Sequence, residues 1–479
     1  MSQRARRESP LEDMFQFGQR VDLCARLREC LANYPEDGLL KEMVQNADDA
    51  GASTFKVMLD RRKHPDRKLL LEGRLASFQG PAICTYNDER FTEKDLASIQ
   101  SVGNSLKNDA DGRTKTGKFG LGFNSCYHVT DCPGLLTGKR LLFLDPSQKH
   151  LANGDTGIGF NLHERHVDSA PDQFAPWRIF GCDPAKEFNG TIFRLPLRTR
   201  AHVRGSAGEG ISPRPYSLSD ADELLRKFVE SLPDLVLFLQ CVHTVEVYEW
   251  RVGEAAPRLL AKQKTCACGT ADSMPRAHLR ELLDRRATQD LTRLGVHHFL
   301  DHLSVRLSQA GSAEGEAYTW LVAQAFGGGS ALEMSVDQDV LSRGLRPLPW
   351  GGVAARLQQP TRQLEGAGPS FKRSRIELAV RGRPFCTLPL PPHTGLPVHI
   401  NGFFELSTSR RDVWTDTSGV GLALLKANWN AALLASVVAP CYVALIEAAQ
   451  ELTNTSEEYY AIWPQARPAE PWAQLVDEL

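Results

Sequence analysis

Glu42, Asn46 and Asp49 lie at i, i+4 and i+7 in the run from Leu39 to Ala52, so on a helix they stand one above another. A carboxylate one turn from a carboxamide gives a proton acceptor beside a neutral oxygen ligand. That pairing suits water activation and a magnesium ion. Leu40, Met43, Val44 and Ala47 form the opposite stripe and give the helix a face to bury. Asp37 is placed to cap the first turn, and Gly51 to close the last in the left-handed conformation.

A second candidate is the run Gly117-Lys118-Phe119-Gly120-Leu121-Gly122-Phe123-Asn124-Ser125. Alternating glycines let successive backbone N–H groups converge on an anion, and a helix expected to open near Phe123 adds its positive end. The overlapping text from Gly112 to Phe119 is not a P-loop. Phe119 stands where that motif needs Ser or Thr for magnesium, and the preceding segment, Asn108 to Asp111, is polar rather than a buried strand. His298 and His302, read one helical turn apart with Asp301 between them, lack a third metal ligand and are expected on a surface helix. Cys266 and Cys268 are too isolated for a four-ligand zinc site.

These groups need elements to hold them. The apolar pattern predicts a helix over Val21–Asn33, the helix bearing Glu42, and strands at Phe55–Leu59, Ala82–Tyr86, Arg140–Leu144 and Thr191–Leu197. The polar, glycine-rich text between Gln100 and Lys118 has the composition of a mobile loop and suggests a lid. Residues 201–217, rich in Gly, Ser, Pro and Arg, form an expected linker. Beyond it, Ser219 and Asp222 resemble a capping box opening a helix that Pro233 interrupts. Strands are expected at Leu303–Leu307, Tyr318–Ala325, Ile376–Val380 and Val398–Phe404, with loops or insertions at Glu254–Lys264 and Gln359–Lys372. A helical part follows from about Gly419 to Leu452.

The 479 residues carry 56 Lys and Arg against 58 Asp and Glu, without a basic segment of the kind nucleic acid binding needs. The 11 cysteines are odd in number and scattered, several within apolar runs, which points to a reducing compartment and a cytoplasmic location. No apolar leader opens the N-terminus, so the terminal Val-Asp-Glu-Leu reads as chance rather than a retention signal. The uncharged stretch Ala427–Ile446 approaches a membrane span in length. Asn428, Asn430 and Pro440 inside it favour a buried core helix, so no membrane span is expected.

The order of Glu42/Asn46/Asp49, the glycine run and Gly190-Thr191 resembles the GHKL superfamily, which includes the ninety-kilodalton heat-shock chaperone, gyrase B, MutL and histidine kinases. Within that group the text is similar to the sacsin repeat family. The similarity includes Tyr86-Asn87-Asp88, Tyr127 through Asp131, Leu144-Asp145-Pro146, Asp172 through Pro176, Gly382 through Cys386, Thr394 through Ile400, Arg410-Arg411 and Tyr459 through Pro464. It covers nearly the whole chain.

This resemblance implies an α+β fold: a Bergerat (GHKL) α/β sandwich ATPase domain over 1–200, then a middle-domain-like α/β second domain with a helical C-terminus over 218–479. ATP and magnesium are the implied cofactors. Glu42 corresponds to the water-polarising glutamate and Asn46 to the magnesium-holding asparagine, while Asp49 supports the base pocket. Gly117, Phe119, Gly120, Gly122 and Phe123 would wrap the triphosphate, with Lys107 or Lys118 adding charge. Thr191 would stand near adenine. The adenine-reading motif departs from the family, since Asn87-Asp88-Glu89-Arg90-Phe91 lacks the spaced glycines and leaves either Asn87 or Asp88 as the base reader. Arg410 or Arg411 would reach the γ-phosphate. The implied role is an ATP-binding, ATP-hydrolysing chaperone-like module acting on client or co-chaperone proteins; the alternative is a non-catalytic scaffold that keeps the fold for protein interaction.

Overall fold

A computed structural model describes residues 22–33, 35–71, 74–100, 122–151, 154–205, 210–267, 278–282, 291, 295–310, 316–357, 380–407, 409–453, 455–477 and 479. The expected lid, the P-loop-like text, the insertion at Gln359–Lys372 and residues 376–379 of the expected strand Ile376–Val380 lie outside them.

Two helices open the fold, α1 (Leu23–Asn33) and α2 (Leu39–Ala50). Leu40, Met43, Val44 and Ala47 of α2 are all buried, as their spacing requires. Burying each of the larger three contributes roughly 1.5–3 kcal/mol. Gly51 closes the helix at φ 93°, and its N–H reaches the Ala47 and Asp48 carbonyls. The other end differs from expectation. Asp37 lies inside a 3₁₀ turn (Glu36–Gly38), Gly38 is the N-cap, and no side chain caps it.

The strands are β1 (Thr54–Asp60), β2 (Ala82–Asn87), β3 (Gly134–Gly138), β4 (Arg140–Leu144), β5 (Gly157–Asn161) and β6 (Phe188–Pro196). After residues 201–217 come β7 (Thr244–Trp250), β8 (Arg258–Ala267), β9 (His297–Gln309), β10 (Glu316–Phe326) and β11 (Trp350–Leu357). Three short strands follow, β12 (Pro384–Cys386), β13 (Leu388–Pro389) and β14 (His399–Gly402). All belong to one sheet, ordered β13-β12-β14-β11-β10-β9-β8-β7-β1-β2-β6-β3-β4-β5. The two halves of the chain join where β1 and β7 pair in parallel, Phe55 opposite Val245 and Leu59 opposite Glu249.

Both faces of β10 and β11 are covered, which explains their nearly continuous apolar text. In β10, Trp320 and Val322 enter a core shared with α1, α2 and the helix Leu218–Leu235, whereas Leu321, Ala323 and Ala325 face the C-terminal helices. The helix Leu218–Leu235 therefore packs in the same core as α2, on the other side of residues 201–217 from it. Its capping box is Ser217 with Asp220, two residues before the pair expected, and it continues through Pro233 to Leu235.

Two further expectations are corrected. Glu254–Lys264 is not a loop throughout, because β8 begins at Arg258; Lys262 pairs with Glu246 at 2.7 Å and Arg258 with Glu249 at 2.8 Å, so its charges are matched by the neighbouring strand. His298 and His302 stand on β9, where Phe299, Leu303, Val305 and Leu307 are buried at every second or fourth position. Four residues along a strand span about 13 Å, so the two rings cannot share a metal.

The C-terminal helices run Leu422–Leu433, a π-helical turn Leu434–Val438, and Ala439–Leu452. Together they make one helical run of 31 residues that meets the length and apolarity of a bilayer span. Trp429, Leu433, Leu434, Val437, Val438 and Tyr442 within it are buried against the sheet.

Candidate functional site

Glu42, Asn46 and Asp49 project from α2 as the spacing demands. Asn46 is exposed, Asp49 is half-buried, and Glu42 is recessed, with 18 % of its side chain accessible. Gly122 crosses directly over Glu42. A Cβ built on Gly122 would collide with the Glu42 carboxylate, so any side chain there would push that carboxylate aside; the constraint is one of space rather than of backbone freedom, its φ being −58°. The last glycine of the run thus fits against the carboxylate. Gly117, Lys118, Phe119 and Gly120, with Lys107, lie outside the described residues.

The helix expected to open near Phe123 begins there, as a 3₁₀ helix over Phe123–His128. Ser125 locks its start, donating from Oγ to the Gly122 carbonyl at 2.6 Å. The Phe123 ring packs on Phe193 at a centroid distance of 5.5 Å. Arg198 fixes the end of the turn. Its fully buried guanidinium pairs with Asp131 at 2.7 Å and donates to the carbonyls of Tyr127, His128 and Thr130.

Burial pushes the Glu42 carboxyl above its ordinary pKa, and Arg410 opposes the shift. Arg410 Nη1 lies 3.9 Å from Glu42 Oε1, an ion pair across 368 positions of sequence, the difference between 410 and 42. Of the two candidate arginines the structure brings this one to the site. Arg411 is exposed and makes no ion pair among the described residues. Arg410 adopts φ 53° at the tip of a hairpin closed by the Leu406–Val413 bridge and by Ser407 N–H to the Asp412 carbonyl at 2.8 Å.

Asn87 and Thr191 are paired across β2 and β6, and both are buried. Asn87 Oδ1 accepts the Glu89 N–H at 3.1 Å, which fixes the amide's orientation. The Thr191 hydroxyl donates to the Glu89 carbonyl at 2.7 Å and lies 3.0 Å from the Thr137 hydroxyl, which accepts the Phe91 N–H. Asp88 points elsewhere. Its carboxylate accepts from Ser53 N–H and Thr54 N–H, each at 2.9 Å, and from the Ser53 hydroxyl, tying the end of β2 to the start of β1.

Several positioning groups were not foreseen. Asp48, on the buried side of α2, accepts from the backbone N–H groups of Gln240, Cys241 and Val242 at 2.7–2.9 Å and anchors the helix to the loop before β7. The double acid Asp48-Asp49 in an otherwise apolar stripe was the available signal. Thr137 and Arg198 had none, because their partners are distant backbone groups.

What fold and site define is a mixed α/β module: one long sheet, a recessed glutamate under a glycine, an exposed asparagine one turn on, and an arginine delivered from the other end of the chain. The chain belongs to the sacsin-domain family, whose model matches residues 20–262. It is 28 % identical to human Sacsin over 521 aligned residues, covering 94 % of this chain and 11 % of that protein. The chain thus spans about a ninth of the length of the relative it matches.

Proposed function

We propose that this chain is a nucleotide-dependent module of the Bergerat type that binds ATP with magnesium, hydrolyses it, and uses the change to handle other proteins in the cytoplasm. The observation that carries the reading is the Glu42–Arg410 pair beneath Gly122: a desolvated carboxylate and a guanidinium meet beneath a glycine. A general base works best when its pKa approaches the working pH, and burial moves Glu42 in that direction. Glu42 would accept the proton of the attacking water. Arg410, 3.9 Å away, would turn to charge developing on the terminal phosphoryl group.

The donors fit a hard cation. Asn46 is exposed one turn from Glu42, and its amide oxygen is the neutral, hard kind of donor that magnesium takes. Magnesium bound there would supply charge neutralisation between phosphate oxygens. Asn87 is the base reader in this reading, because the hydrogen bonds of Asp88 are spent on Ser53 and Thr54. Thr191, whose proton is committed to Glu89, offers only an acceptor. Asp49 would support the base pocket from α2.

The test is phosphate release in the presence of magnesium. Glu42→Gln should abolish turnover while nucleotide still binds, and Arg410→Ala should slow it on the order of 10³-fold. Wild-type protein that binds ATP without turnover would favour the non-catalytic scaffold instead.

A further inference from the structure

The hairpin carrying Arg410 rests on the C-terminal helix Leu422–Leu433, and the contact is specific. Asn430, 2 % exposed, accepts the Glu405 N–H at Oδ1 (2.8 Å) and donates from Nδ2 to the carbonyls of Glu405 and Trp414, both 2.8 Å. One side chain thereby grips both legs of the hairpin where the Trp414 N–H meets the Glu405 carbonyl. Neighbouring turns add to the grip. Lys426 pairs with the Glu405 carboxylate at 3.4 Å, Trp414 Nε1 donates to the Ala423 carbonyl at 3.0 Å, and Trp429 Nε1 donates to the Phe403 carbonyl at 3.0 Å. Immediately beyond Leu433 the helix widens into its π turn, a feature frequent at functional sites.

We propose that Asn430 is the positioning residue that holds Arg410 at Glu42, making the helix Leu422–Leu433 the platform through which the C-terminal part of the chain sets the competence of the α2 site. The claim rests on the nucleotide reading above but has its own physical basis. An amide in an apolar helix, with its oxygen and both its N–H donors used on two backbone legs, fixes the hairpin in angle as well as in place. Asn430 touches neither Glu42 nor any expected ligand position. It acts through Arg410.

The test uses the full chain with Asn430→Leu, which keeps similar volume and removes all three hydrogen bonds, and Asn430→Asp, which keeps only the acceptor for Glu405 N–H. Without nucleotide, amide hydrogen exchange should accelerate across 405–414 in Asn430→Leu while Leu422–Leu433 stays protected. In turnover, Asn430→Leu should reproduce most of the kcat loss of Arg410→Ala with ATP affinity unchanged, and the double variant should lose no more than Arg410→Ala alone. Hairpin exchange equal to wild type overturns the proposal, as does exchange that spreads through the helix, a loss confined to ATP affinity, or additive losses. Should Asn430→Leu fail to fold, Asn430→Asp is judged by the same criteria. If the wild type hydrolyses no ATP, the nucleotide reading falls, while the exchange measurement still decides whether Asn430 holds the hairpin.

Discussion

At the scale of residues, the molecule spends its buried charges on position. Asp60 is fully buried, yet its carboxyl is held below the ordinary carboxylate range; burial alone would raise it, and hydrogen bonds from Arg62 (2.8 Å) and His64 (3.0 Å) more than offset that. A carboxyl whose folded pKa is depressed contributes stability that is present above its unfolded pKa, about 4, and is lost as pH falls below it. Urea unfolding from pH 7 to pH 3 should therefore show stability declining below about pH 4, and Asp60→Asn should flatten that part of the curve. An unchanged slope in the variant would remove Asp60 from the account. Glu42, Asn46 and Asp49 were legible in the sequence because helical spacing alone puts them on one face. That the Asp88 carboxylate is occupied by Ser53 and Thr54 was not, since those partners lie across a strand boundary. Nor was the approach of Arg410, rather than Arg411, to Glu42, which depends on where the hairpin sits.

At the scale of elements, the same fixing extends to turns and hairpins. Arg198 holds the end of the turn that follows Gly122 through three carbonyls and Asp131. Arg198→Met would keep the bulk but leave Asp131 buried without its partner, a change that costs about 3–5 kcal/mol. Denaturant unfolding should register that loss; a change below about 1 kcal/mol would mean the pair contributes little. Elements with a clean period were legible: β4 begins and ends where expected, and β1, β2 and α2 nearly so. The misreadings have local causes. Ser217-x-x-Asp220 and Ser219-x-x-Asp222 spell the same cap, and only the fold selects the first. The histidines of β9 satisfy an i, i+4 spacing that a strand also contains, while the buried alternation from Phe299 to Leu307 was the stronger signal. The charges of Arg258 and Lys262 looked like loop text because Glu249 and Glu246, which answer them, lie on β7.

At the scale of the whole molecule, one sheet runs through both halves of the chain, and the β1–β7 pairing joins them. Val245 and Val247 of β7, Phe228 and Leu232 of the helix Leu218–Leu235, and Phe55 and Val57 of β1 share a core. A fragment ending at residue 217 would leave the β1 edge and this apolar surface open, and it should be aggregated or incompletely folded by size-exclusion chromatography and circular dichroism. A monomeric fragment with a cooperative transition would contradict that expectation. The continuity also gives Arg410 a fixed frame from which to reach Glu42, so that two groups far apart in sequence meet. The central claim is that the site around them binds a nucleotide. Calorimetric titration of the full chain with ATP tests it most directly: the account predicts magnesium-dependent binding that Asn46→Ala abolishes and Glu42→Gln retains, whereas no ATP binding with or without magnesium would contradict it.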